Sequence, residues 1–238
     1  MKRYPFPNTR PWQSLFALYL FALLYLTRVS QVSHYLLGFY KAQALTVGIT
    51  AIAVLTFLLY QRKNLKDLIL NGRMVLTLVL CAGILTPMLL KRDYTMMYLS
   101  VLFSGLLGIF LSYFVSCRRA AKYYVLLLAG LALYSLAAFF LLRPLSDLGL
   151  LRVPTFQNAY GAEFYNYLFS FVSVTFARER NFGIFREPGV YQFFLFLALY
   201  LNNYQADWDS GKQTWGLNAL LVTAMLMIPS VLTLTASF

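Results

Sequence analysis

The stretch Tyr123-Tyr-Val-Leu-Leu-Leu-Ala-Gly-Leu-Ala-Leu-Tyr-Ser-Leu-Ala-Ala-Phe-Phe-Leu-Leu142 decides how this chain is read. It holds twenty residues without a charge, the length a helix needs to cross a hydrocarbon core about 30 Å thick. Basic residues close both ends, with Arg118, Arg119 and Lys122 before it and Arg143 after it. The spacing predicts a membrane-spanning helix. Six further apolar runs surround it: Trp12–Thr27, Ala42–Tyr60, Met74–Leu90, Thr95–Cys117, Pro188–Tyr204 and Leu217–Ser237. None of the seven contains a charged residue. Tyr and Trp gather near many of the ends, where amphipathic rings prefer the headgroup level.

Composition points the same way. Of 238 residues, 60% are hydrophobic and 12% charged, against about 25% charged in an ordinary soluble domain. The 21 Phe, 18 Tyr and 3 Trp exclude a disordered chain. The net charge of +12 raises the question of nucleic acid. Its distribution argues against that partner, because Lys and Arg collect in short segments between apolar runs, as the positive-inside bias requires. Two cysteines, Cys81 and Cys117, cannot form a disulfide framework. One His and two separated Cys give no metal-ligand spacing, so neither a metal nor another cofactor is expected.

Orientation follows from the same basic residues. Alternate short segments carry eleven Lys and Arg on one side and four on the other. The richer side is cytoplasmic, which puts the amino terminus inside. Lys2 and Arg3 precede the first run, but no small-residue cleavage site follows it. It reads as a retained span and not as a signal peptide. Residues 143–189 then form an extracytoplasmic loop segment. Within it, Phe164–Ala177 is apolar and short, with Asn166, Ser170 and Ser173 at i, i+4 and i+7 on one helical face. An interfacial or re-entrant helix is expected there; were it to span, every later segment would change side. The expected fold is all-α: a multi-pass transmembrane helical bundle of about seven spans plus that helix, in one integral membrane domain over 1–238. The run Leu232–Phe238 ends without a charged cap and reads as the end of a truncated chain.

The chemistry concentrates in Arg178-Glu-Arg-Asn-Phe-Gly-Ile-Phe-Arg-Glu-Pro-Gly-Val-Tyr191. Three arginines (Arg178, Arg180, Arg186) and two glutamates (Glu179, Glu187) fall just before the sixth run. Pro188 suits the first turn of a helix, where its missing N–H costs nothing. Gly183 and Gly189 permit close approach of a ligand or unusual backbone angles. Arginines beside the positive end of a helix make an anion site, and their planar guanidinium groups match phosphate oxygens bidentately. The competing reading, equally weighted on composition, is a charge cluster that only anchors the helix at the interface.

The order Arg180-Asn-Phe-Gly183-Ile-Phe185-Arg-Glu187-Pro188-Gly189, running into an apolar helix, resembles a signature of the bacterial O-antigen polymerase family. The related O-antigen ligases carry a comparable Arg–Gly–Phe–Pro stretch. The likeness is sharp over about Arg178–Phe194; elsewhere only the many-span layout agrees. It implies an amino-terminal portion of a glycosyltransferase of the inner membrane. Such enzymes join undecaprenyl-pyrophosphate-linked oligosaccharide repeat units into O-antigen or capsule-type polysaccharide, at the outer face, sometimes beside a chain-length regulator. On that resemblance Arg180 and Glu187 are the expected catalytic residues. Arg180 would hold the donor pyrophosphate, and Glu187 would orient an arginine or act as base toward the acceptor hydroxyl. Arg178, Gly183, Arg186 and Gly189 are the expected substrate-binding residues. The ligases use a histidine and a further arginine in a later loop, which this chain does not reach.

His34, the lone histidine, reads as an interfacial residue more than as a base, and Asp207, Asp209 and Lys212 read as a solvated turn. A second hypothesis is a transporter or flippase of lipid-linked oligosaccharide. Uncharged spans argue against an ion-coupled one. A third is a non-catalytic membrane subunit, in which none of the motif arginines matters.

Overall fold

The computed structural model describes residues 17–22, 24–25, 30, 44–45, 47–52, 55, 72–92, 98, 102, 117–157, 163–174, 181–185, 187–204, 208 and 211–228. The chain divides into two compact units, one of Met1–Arg28 with Leu37–Ser116 and one of Val29–Leu36 with Cys117–Phe238.

In the first unit the main described element is helix α1, Gly72–Leu90. It matches the expected Met74–Leu90 run to within two residues. It stops because Arg92 adopts a left-handed backbone (φ 49°), with Lys91 N–H bonding Pro87 O and Arg92 N–H bonding Leu89 O. The two cations also suit the negative end of the helix. Shorter helical stretches lie at 17–22 and 47–52.

The second unit is built on one long helix. It runs as α2 (Cys117–Ala137), a π-helical turn (Ala138–Leu142) and α3 (Arg143–Asp147). The expected run Tyr123–Leu142 lies inside it, but Arg143 does not end the helix. Its guanidinium sits over the Phe139 ring at 5.1 Å and pairs with Asp147 at 3.5 Å, one turn on. Both charges are thereby accommodated on the helix surface. The stop comes at Gly149, in a left-handed conformation (φ 73°). Helix α4 (Pro188–Tyr204) and helix α5 (Gly211–Leu226) pack on α2 and on each other. The buried stripe of α2 is Ala121, Val125, Leu128, Ala132 and Ser135, spaced by three and four residues. It meets Tyr191, Leu195 and Ala198 of α4. Small residues in the stripe allow close approach of the helices.

Between α3 and α4 lies a three-stranded antiparallel sheet in the order β1 (Thr155–Gln157), β2 (Glu163–Asn166), β3 (Phe171–Ser173). Phe156 pairs with Phe164, and Phe164 with Ser173. One face gathers Phe156, Phe164 and Phe171, with ring centroids 5.4–5.5 Å apart. The other carries Tyr165 and Val172, and Val172 joins Tyr167 and Ala138 in a core against the long helix.

This architecture corrects two expectations. The chain is not an all-α bundle of seven spans. Among the described residues one helix, Cys117–Asp147, is long and apolar enough to cross a membrane, and the helices are joined by a β-sheet. Helices α4 and α5 have 17 and 16 residues and fall short of that length. Half or more of each of the expected Trp12–Thr27, Ala42–Tyr60 and Thr95–Cys117 runs lies outside the described residues, as does the end of Leu217–Ser237.

The second correction concerns Phe164–Ala177, which is not an interfacial or re-entrant helix. Its described part is β2, a tight turn and β3. Phe164, Tyr165, Phe171 and Val172 belong to the aromatic and β-branched types that suit a pleated surface. Asn166 and Ser170, read as one face of a helix, instead flank the turn. Asn166 Oδ1 accepts from Leu168 N–H, and Tyr167 N–H bonds Ser170 O. Side-chain capping of this kind by Asn favours a turn over a helix.

Candidate functional site

The segment 181–185 lies along β3. Asn181 bridges Val172, and Phe171 N–H donates to Gly183 O at 2.7 Å. On the other side Phe185 bridges Ser30. The segment is buried throughout, with Asn181 and Phe185 at 0% exposure. Apolar residues Phe182, Ile184 and Phe185 account for the burial; Phe182 meets Phe164 edge-on at 5.4 Å.

A buried polar side chain must find partners, and Asn181 finds them. Its Nδ2 donates to Ser135 Oγ at 3.1 Å, and its Oδ1 accepts Gly183 N–H at 3.0 Å. Its own N–H bonds Met227 O at 3.3 Å. Ser135 Oγ also lies 2.8 Å from Tyr191 OH, and it contacts Ala132 O at 2.9 Å. One node therefore ties together α2, the motif segment, α4 and the end of α5.

Gly183 is held by two requirements. Its φ of 55° is left-handed, a region costly for residues with a Cβ. A Cβ there would also meet Tyr191 Cε1 and Cζ at 3.0 Å. Tyr191 in turn stacks on Phe185 at 5.2 Å, and Phe185 on Phe194 at 4.8 Å. The chain then enters α4. Tyr191 N–H bonds Glu187 O at 3.2 Å, so Glu187 stands at the cap position with Pro188 first in the helix. A carboxylate there complements the positive end of the helix.

The expected site residues fall out unevenly. Glu187 is exposed at the start of α4. Gly189 is exposed in the first turn, where a Cβ would meet nothing within 4 Å. Gly183 is buried against Tyr191. Arg178, Arg180 and Arg186 lie outside the described residues, as do Glu179, His34, Asp207 and Asp209. The structure adds Asn181, Ser135 and Tyr191, which no reading of the sequence had singled out. Their signal was present: a serine inside an apolar run and an asparagine inside the motif both need buried partners.

No family model, no curated protein and no solved structure matches this chain.

Proposed function

We propose that the protein is a membrane enzyme that polymerises undecaprenyl-pyrophosphate-linked oligosaccharide repeat units into surface polysaccharide at the outer face of the inner membrane. The observation that carries this reading is the run Arg180–Gly189 entering α4. Its middle, Asn181–Phe185, is pinned by the Asn181 node and by stacked rings, and arginines stand at either end of that rigid piece in sequence. A fixed backbone between cations suits preorganised charge stabilisation, which loses its value if the groups must reorganise during reaction. The uncharged stretch Tyr123–Leu142 inside the Cys117–Asp147 helix supports the membrane setting.

In this mechanism Arg180, assisted by Arg178 or Arg186, binds the donor pyrophosphate. The acceptor hydroxyl oxygen attacks the anomeric carbon of the growing chain. A new glycosidic bond forms as the bond to pyrophosphate oxygen breaks. The electron pair leaves with undecaprenyl pyrophosphate, whose charge the arginines neutralise. The hydroxyl proton passes to a base, the role of Glu187 as the one acid within Arg180–Gly189; its other role is to orient an arginine.

The test is polysaccharide length in cells that carry Arg180→Ala as their sole copy. Loss of long chains, with single repeat units still exported and protein level unchanged, is the expected result. Normal chain lengths would remove the assignment, and repeat units held inside would point to a flippase.

A further inference from the structure

Tyr134 fixes the tip of the β2–β3 hairpin midway along the long helix. Its hydroxyl donates to Tyr167 O, and its ring meets Phe169 edge-on with centroids 5.6 Å apart. Along the axis, Tyr134 lies about 13 Å from Arg143 and about 18 Å from Lys122 at 1.5 Å per residue. The turn of the hairpin is therefore held against the middle of the uncharged stretch. Nearer the charged end, Tyr165 OH donates to Asp147 Oδ1 at 3.1 Å and Tyr167 OH donates to Ser146 Oγ at 3.0 Å.

The tip itself is built for an apolar surrounding. Leu168 adopts φ 69°, a left-handed conformation usually left to Gly or Asn, yet its side chain is 63% exposed. Phe169 beside it is also exposed. No charged residue occurs from Phe164 to Val174. Leu133, Phe140 and Leu141 of the long helix are exposed as well.

Backbone polar groups at membrane depth must be satisfied by protein. Here Asn166 N–H bonds Pro154 O, Tyr167 N–H bonds Ser170 O and Phe169 N–H bonds Tyr167 O. Leu168 N–H bonds Asn166 Oδ1, and Phe171 N–H bonds Gly183 O.

We propose that the β2–β3 hairpin is a re-entrant element whose tip, Leu168 and Phe169, is immersed in the acyl chains of the bilayer beside the Cys117–Asp147 helix. This rests on the reading of that helix as a membrane span. Tyr165 and Tyr167 tether the hairpin to the helix at Asp147 and Ser146. The ladder and turn bonds meet those N–H groups within the protein.

The test uses the full chain in phosphatidylcholine vesicles, with Cys81 and Cys117 replaced by Ser. An environment-sensitive fluorophore is attached in turn at Leu168→Cys, at Leu133→Cys in the middle of the helix, and at Leu148→Cys beyond its charged end. Quenching is read with aqueous iodide and with lipids bearing a nitroxide either near the headgroup or deep on the chain. The proposal expects position 168 to behave like 133: blue-shifted, protected from iodide, and quenched more by the deep nitroxide. Position 148 should show the reverse order. Iodide quenching at 168 with lipid quenching retained at 133 overturns the hairpin's immersion and leaves the span intact. Protection at 168 from both iodide and nitroxide overturns it in favour of a protein partner. Iodide quenching at 133 as well as 168 overturns the span and the proposal together.

Discussion

Asn181 and Ser135, 46 residues apart in sequence, are joined by a hydrogen bond of 3.1 Å in which both side chains are fully buried. Through it the motif segment is fastened to the middle of the long helix. Asn181→Ala would strand the Gly183 N–H and remove a partner of Ser135. Leaving a buried donor unmet costs about 1–3 kcal/mol. The expected outcome is a lower unfolding midpoint in detergent, with long polysaccharide reduced along with it. An unchanged midpoint would show that the node does not hold the segment.

Gly183 and Gly189 separate two uses of glycine. Gly183→Ala combines a left-handed backbone, costing about 1–2 kcal/mol, with overlap on the Tyr191 ring. Stability and polymer length should both fall. Gly189→Ala meets open space in a helix and should be neutral or stabilise by up to about 1 kcal/mol. Thermal unfolding of the two variants side by side checks the contrast. Equal losses would show that a Cβ at position 189 does not meet open space.

Tyr191→Phe keeps the ring stacked on Phe185 and removes only the hydroxyl beside Ser135. The loss should be about 0.5–1.5 kcal/mol. Ser135→Ala should cost a similar amount, and the double variant less than the sum, because both changes break one shared contact. Strict additivity in denaturant unfolding would rule out the coupling.

Sidedness is checked at Glu187, which is exposed at the start of α4. With Cys81 and Cys117 replaced by Ser, Glu187→Cys should react with a membrane-impermeant thiol reagent on intact cells. Reaction only after the membrane is opened would put the motif on the wrong face for the proposed polymerisation.

The seven-span layout was misread, but individual helices were legible. Pro188 marked the start of α4 because proline suits a first turn, and the Met74–Leu90 run became α1. The long helix was read too short, since Arg143 looked like a terminator when Phe139 and Asp147 let it stay in place. The sheet was hidden for another reason. Asn166, Ser170 and Ser173 have helical spacing, and the same positions serve a hairpin whose turn falls between the first two. Short strands made of Phe, Tyr and Val look like membrane helix to any count of apolar residues. Within the site, arginines and glycines drew notice as carriers of charge and freedom. The bonds of Asn181 to residues far away in sequence were invisible, because pairing across 46 positions leaves no local pattern.

The π-helical turn at Ala138–Leu142 has a consequence for rotational phase. Along a regular helix, Ser146 would point about 80° past Ala138 at 3.6 residues per turn. One extra residue in the turn takes about 100° back, which brings the two nearly into line. Both then face Tyr167: Ala138 packs in its core, and Ser146 Oγ accepts its hydroxyl at 3.0 Å. A single helix can thus present one azimuth to α4 and a reset azimuth to the sheet. Straightening this turn into a regular α-helix with all its residues kept would swing the last helical turn about 100° away from the hairpin, whereas deleting one residue between 138 and 142 would straighten the helix and leave that turn in phase.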